Sequence, residues 1–164
     1  MSQGEKKYFG KYRGTISSNV DPSGQGRVQV TVPSILQGQD TGWAMPSSPY
    51  AGSQVGIYAI PPVGSYVWVE FEGGDINHPV WSGSFWGPGD APTQDPTTNT
   101  KMIKTANVTI TFDDTPGAGG VTIEIATGAK ISMDSTGITL SCGSSSISIT
   151  PTSVSINNGA LEVV

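Results

Sequence analysis

The chain has a single cysteine, Cys142, and a single histidine, His78. Disulfide frameworks and thiolate zinc sites need several such partners, so neither is expected. Cys142, among Ser and Gly, reads as a small apolar filler. His78 lies in GGDINHPVW just before Pro79, a turn or strand-entry position. No Ser or Cys signature accompanies it, so nucleophilic catalysis lacks its parts. No apolar run reaches 18 residues, which excludes a membrane-spanning helix. The opening MSQGEKKYFGKYRG has no apolar core behind its lysines, so synthesis in the cytoplasm without a secretory signal is expected. Charged residues make up only 13%, and the formal net charge of −5 argues against general attraction to nucleic acid or anionic membranes. Helical spacing is absent, while Gly and Pro are abundant, and the fold class these absences leave is all-β.

Nearly all aromatics fall between Tyr8 and Trp86, and the residues from Gly87 onward carry almost none. This shift divides the chain into an N-terminal arm (1–9), a first domain (10–87), a Pro-rich polar connector (88–107) and a C-terminal region (108–164). Strands are predicted at 10–17, 27–33, 42–46, 56–60, 64–72 and 80–86, with breaks at 21–24, 61–62 and 73–75. Short strands this closely spaced over about 80 residues fit an OB-type barrel better than a sandwich. In SYVWVEFE the alternation sets Val67, Val69 and Phe71 against Tyr66, Trp68, Glu70 and Glu72, and the Val face is the expected interior.

The C-terminal region repeats one small pattern: VTIEI, KISMD, GITLSC, SISIT and SVSIN, separated by tight polar breaks. Strand alternation places aliphatics on one side and hydroxyls on the other. The predicted core positions are Ile123, Ile125, Ile131, Met133, Ile138, Leu140, Ile147, Ile149, Val154 and Ile156. A lone segment of this kind does not bury enough to offset its ordering. The strands therefore call for partners, and identical neighbouring chains are the nearest source, through ladders running from chain to chain. Between Val121 and Asn158 only Glu124, Lys130 and Asp134 are charged.

Three stretches carry a resemblance: GKYRGTISSNVDPSGQGRVQVTVPSI, GWAMPSSPYAG, and GIYAIPPVGSYVWVEFEGGDINHPVWSGSFWG with the following PGDAP. They resemble the OB-fold domain of the phage baseplate assembly protein V family, with relatives in valine-glycine repeat spikes of type VI secretion and in extracellular contractile injection particles. The resemblance implies an OB barrel followed by an intertwined trimeric β-helix, or β-prism, needle. It further implies a homotrimer at the centre of a virion or particle baseplate, docked on a hub and tube protein and directed at a target cell envelope.

Some relatives carry a peptidoglycan-cleaving domain, but here only a short connector separates Trp86 from Val108. Asp90, Asp95, Asp113 and Asp114 lie in or beside loops with no apolar pocket to raise a pKa, so no lytic site is expected. Some phage spikes end in a metal-bound His-X-His tip; the last residues here contain no histidine, and neither metal nor cofactor is expected. Leu161, Val163 and Val164 instead suggest a surface for a conical tip protein of the PAAR-repeat type. Nucleic-acid binding by the barrel is not expected, because basic residues do not interleave in sequence with Tyr58, Tyr66, Trp68, Trp81, Phe85 and Trp86. The alternatives are a carbohydrate- or nucleic-acid-binding OB module with a solenoid tail, and a tailspike-type polysaccharide enzyme.

Overall fold

A computed structural model describes residues 6–93 and 98–164. Asp95 and the first five residues of the arm lie outside the described residues. The chain forms two compact units, Met1–Asp90 and Ala91–Val164.

The first unit contains β1 (Tyr12–Ser18), β2 (Gln29–Thr31), a helical turn α1 (Pro33–Leu36), β3 (Met45–Pro46), β4 (Ala51–Gly52), β5 (Val55–Gly56), β6 (Tyr66–Phe71) and β7 (Pro79–Phe85). Five strands pair in the order β2-β1-β6-β7-β3. The two ends of that sheet meet through paired backbone bonds between Val28 and Ala44, at 3.2 and 2.8 Å, which gives an OB-like barrel. Its interior holds Ile16, Val28, Val30, Val32, Ala44, Val67, Val69, Phe71 and Trp81. The Val67, Val69 and Phe71 face thus lies inside, as alternation predicts. Two polar groups enter this core with partners: the Thr41 hydroxyl accepts the Val30 N–H at 3.1 Å, and the Trp81 indole donates to the Gly26 carbonyl at 3.3 Å.

Several strands are shorter than the pattern predicts. The segment 27–33 ends in α1, because Pro33 has no N–H for a ladder but suits the first turn of a helix. The segment 42–46 contributes only Met45–Pro46, which runs parallel to β7. In 56–60 only Gly56 is in a strand, paired in the small β4–β5 hairpin, since Pro61 and Pro62 follow and cannot donate.

The link between β1 and β2 is organised by Asp21. Its carboxylate accepts the backbone N–H groups of Ser23, Gln25 and Arg27 at 2.9, 2.8 and 3.2 Å and the Arg27 guanidinium at 2.7 Å. Arg27 in turn lies over the Trp43 ring at 5.7 Å.

The second unit is an eight-stranded antiparallel meander: β8 (Thr100–Lys104), β9 (Val108–Asp113), β10 (Gly120–Ile125), β11 (Lys130–Asp134), β12 (Gly137–Cys142), β13 (Ser145–Ile149), β14 (Val154–Ile156) and β15 (Leu161–Val163). Each strand pairs with the next in sequence. This corrects two expectations. The segment 88–107, read as connector, contains β8, whose Met102 and Ile103 are paired with Thr111 and Ile110 of β9. The ladders of this sheet run within one chain rather than between chains, because the two- to six-residue links are short enough for each segment to fold back on its neighbour.

The turns carry suitable residues. Asn157 and Asn158 both adopt positive φ, 49° and 54°, as a tight hairpin turn requires. The Asn157 side-chain oxygen also accepts the Ser146 N–H at 2.9 Å, tying the β14–β15 hairpin to β13. At Gly137, φ is 154° and a Cβ would lie 2.1 Å from the Ile149 carbonyl oxygen, so no other residue fits. Asp134 accepts the Thr136 hydroxyl and N–H at 2.5 and 2.7 Å, which holds its carboxyl below the usual carboxylate range.

The Arg27 guanidinium, helped by the three backbone donors, holds the Asp21 carboxyl far below its ordinary value. A depressed carboxyl contributes stability that is fully present above about pH 4 and is lost as pH falls toward its folded value. Asp21→Asn is therefore expected to lower the melting temperature of the first unit at pH 7, with the gap to the parent chain narrowing below about pH 4. Thermal unfolding at pH 7, 4 and 2.5 checks this; a gap independent of pH would assign the loss to something other than the carboxylate charge.

Candidate functional site

In the second unit the strand registers align the aliphatics into two unbroken rows. One runs Ile103, Ile110, Ile123, Ile131, Leu140, Ile147, Ile156, Leu161. The other runs Phe112, Val121, Met133, Ile138, Ile149, Val154, Val163. A one-residue slip in any strand would send its aliphatics to the opposite face, so continuity over this many strands specifies the register strongly. Ile125 lies beside the first row, opposite Val108.

The other face carries Thr111, Thr122, Ser132, Thr139, Ser148 and Ser155 in register. Charges keep to this face or to turns: Glu124 is opposite Lys130, and Asp134 sits at the β11–β12 turn. Lys101 is the exception, closing the second row at Phe112 and ion-paired with Asp114 in the following loop.

The two faces differ in how well a single chain satisfies them. Backbone groups are paired along the meander, but the aliphatics from Ile123 to Val154 remain between 36% exposed at Ile138 and 42% at Met133. Ile123, Ile125, Ile131, Leu140, Ile147 and Ile156 line a shallow concavity of about 540 Å³, with Cys142 at its margin. A contiguous apolar face this long marks an association surface. All ten core positions read from the sequence lie on it. Sequence reasoning missed Ile103, Val108, Ile110, Phe112 and Val121, although the alternation of VTITF carries the same signal across the turn-rich loop 114–119.

Leu161 and Val163 continue the two rows, opposite Ile156 and Val154, and are 58% and 64% exposed; Val164 follows at 98%.

Elsewhere the described residues bring together little that resembles catalytic machinery. Among the described residues no cluster of three or more His, Cys, Asp or Glu side chains is placed to hold a metal. His78 Nδ1 lies 3.0 Å from Asp75 Oδ2 in the turn before β7, where the Asn77 N–H also binds Asp75 and helps hold its carboxyl low. Asp90 accepts the Gly87 N–H at 3.1 Å, and Asp114 pairs with Lys101. On the barrel exterior, basic residues and rings do meet, contrary to their separation in sequence. Arg13 of β1 lies opposite Trp68 of β6 and stacks over Trp68 and Phe85, at 5.3 and 5.1 Å. Tyr66 stacks on Phe85 at 5.4 Å and Trp68 tilts against it at 4.8 Å, so these rings are already engaged with one another.

Two family descriptions match the chain. The type VI secretion system/phage-baseplate injector OB domain matches residues 12–86, and the phage baseplate V C-terminal trimerisation domain matches residues 100–162. The chain belongs to the phage baseplate protein V family. The comparison with curated proteins found no match. The second match begins at β8, in agreement with the sheet starting at Thr100 rather than Val108. The second match is to a trimerisation domain, and the protein is a homotrimer.

Face specificity gives a direct test. Ile147→Asp would place three like charges inside the assembly, at a cost of several kcal/mol through desolvation and repulsion. The expected outcome is loss of the trimer by light scattering, with the first unit still folded by tryptophan fluorescence. Ser148→Asp, one residue away on the hydroxyl face, is expected to leave the trimer mass unchanged; equal damage from both would contradict the assignment of faces.

Proposed function

We propose that this protein is the non-enzymatic central spike of a contractile injection machine. Three copies pack their aliphatic faces inward and form a needle, while the barrel units cap the tube and hub. The observation that carries this reading is the pair of continuous aliphatic rows on one face of a sheet whose other face is built from Ser and Thr. Such a rod has a dry interior and a narrow, nearly uncharged exterior over 135–161, which contains no Asp, Glu, Lys or Arg. Low charge reduces the cost of forcing it through an envelope. The force comes from the contracting machine, and the spike supplies stiffness through its paired strands.

The rows continue to Leu161 and Val163, which with Val164 offer apolar surface to a tip protein of the PAAR type. The connector, residues 88–99 ahead of β8, joins the barrel to the needle without room for a lytic domain. These assignments rest on the exposure of the three side chains and on the family's role as a baseplate component.

Removing the residues after Asn158 is expected to abolish co-purification of a PAAR-type tip protein while the mass in solution stays at three chains. Retention of the tip by the shortened trimer would remove Leu161, Val163 and Val164 from the contact. A monomeric parent chain would overturn the spike reading altogether.

A further inference from the structure

The first unit holds a cavity of about 440 Å³ that the spike reading does not use. Its size and mixed lining suit a small ligand. Tyr66, Phe85 and Trp86 supply rings, Ser65 and Ser84 supply hydroxyls, and Asp90 is the one charged residue in the wall.

Backbone hydrogen bonds fix that wall on both sides. The turn ahead of β6 is closed by the Ser65 N–H donating to the Pro62 carbonyl at 3.1 Å, and the Gly64 N–H ties it to Ile16 of β1 at 2.9 Å. The turn after β7 is closed twice. The Asp90 N–H donates to the Gly87 carbonyl at 3.1 Å, and the Gly87 N–H donates back to Asp90 Oδ2 at 3.1 Å. A Cβ on Gly87 would lie 2.6 Å from Asp90 Oδ2 and 2.8 Å from Tyr66 Cε2, so glycine lets the carboxylate and the ring edge close on one backbone carbon.

Chemistry selects the occupant. Aromatic rings present the negative faces of their π systems, and a carboxylate beside them adds a full negative charge, so the group that satisfies both is a cation. The same ring cluster already accepts one from outside the wall: the Arg13 guanidinium lies over Phe85 at 5.1 Å and over Trp68 at 5.3 Å. Among the described residues no Lys, Arg or His forms an ion pair with Asp90. Tyr66 and Trp68 are engaged with Phe85, whereas Trp86 enters neither ring pair and is 69% exposed. The cavity thus sets an unpaired carboxylate beside an uncovered indole. A primary ammonium is strongly hydrated, and a single carboxylate is a poor exchange for its water. A quaternary ammonium spreads its charge over methyl groups, gives up little hydration and packs directly on rings.

We infer that the cavity walled by Tyr66, Trp86 and Asp90 is a binding site for a quaternary ammonium group of the choline class. The site lies wholly within residues 61–90, so it stands apart from both the trimer and the spike reading.

The test is ligand-observed saturation-transfer NMR on the full chain, with choline chloride and its neutral isostere 3,3-dimethylbutan-1-ol, in which carbon replaces the nitrogen. Saturable choline binding in the millimolar range is expected, with the isostere weaker by about threefold to fivefold. Trp86→Ala and Asp90→Asn, both at exposed positions, are each expected to weaken choline by about the same factor. Equal affinity for choline and the isostere overturns the inference, as does choline binding unchanged in both variants or no saturable binding at all. Tighter binding of n-butylammonium than of choline overturns the quaternary assignment. Sedimentation with phosphatidylcholine vesicles separates the two sources of the group: choline binding with vesicle binding assigns a lipid headgroup, and choline binding alone assigns a free solute.

Discussion

In the C-terminal sheet, the backbone and the side chains are satisfied at different levels of assembly. The meander pairs the N–H and C=O groups of each strand with those of its own chain, so register and turn geometry are settled locally. The aliphatic rows stay partly exposed in that chain. Hydrogen bonding therefore gives the sheet its shape, and the hydrophobic effect determines that the sheet does not stay alone. The hydroxyl face needs no partner, since Ser and Thr remain hydrated or bond locally. Sidedness of this kind lets one short repeated pattern specify both a fold and an assembly.

The barrel solves the same problem within one copy. Val67, Val69 and Phe71 meet Ile16, Val28 and Val30 across a closed sheet, and little apolar area is left on that side. The polar groups that enter the core, Thr41 and Trp81, each have a backbone partner, and Asp21 supplies acceptors for a loop that has no ladder of its own. The charge-free β4–β5 hairpin is the part of this unit that does not follow the rule, with Val55 in it and Tyr50 and Ile57 beside it more than half exposed.

The parts that could be read from the sequence are those governed by period-two alternation. The interior face of β6 and the ten aliphatics of the ribbon follow from it directly, because alternation is local and the strands are bounded by recognisable turns. Local reading fails where long-range pairing decides. The strand Thr100–Lys104 carries two lysines and looked like linker; it is a strand because VTITF folds back against it. Arg13 and Trp68 are 55 positions apart, and only the β1–β6 register brings the guanidinium over the ring. The direction of the ladders was likewise hidden: the pattern showed that strands need neighbours, but short links, not composition, make those neighbours the chain's own.

The meander also makes length an adjustable quantity. Adjacent strands advance by about 4.8 Å, so eight of them extend the sheet by roughly 34 Å across the strand direction. Duplicating one hairpin would add about 10 Å while leaving every aliphatic on its original side, whereas inserting a single residue within a strand would turn part of that strand inside out. Such a chain can therefore grow or shrink by whole hairpins without any change to the barrel unit.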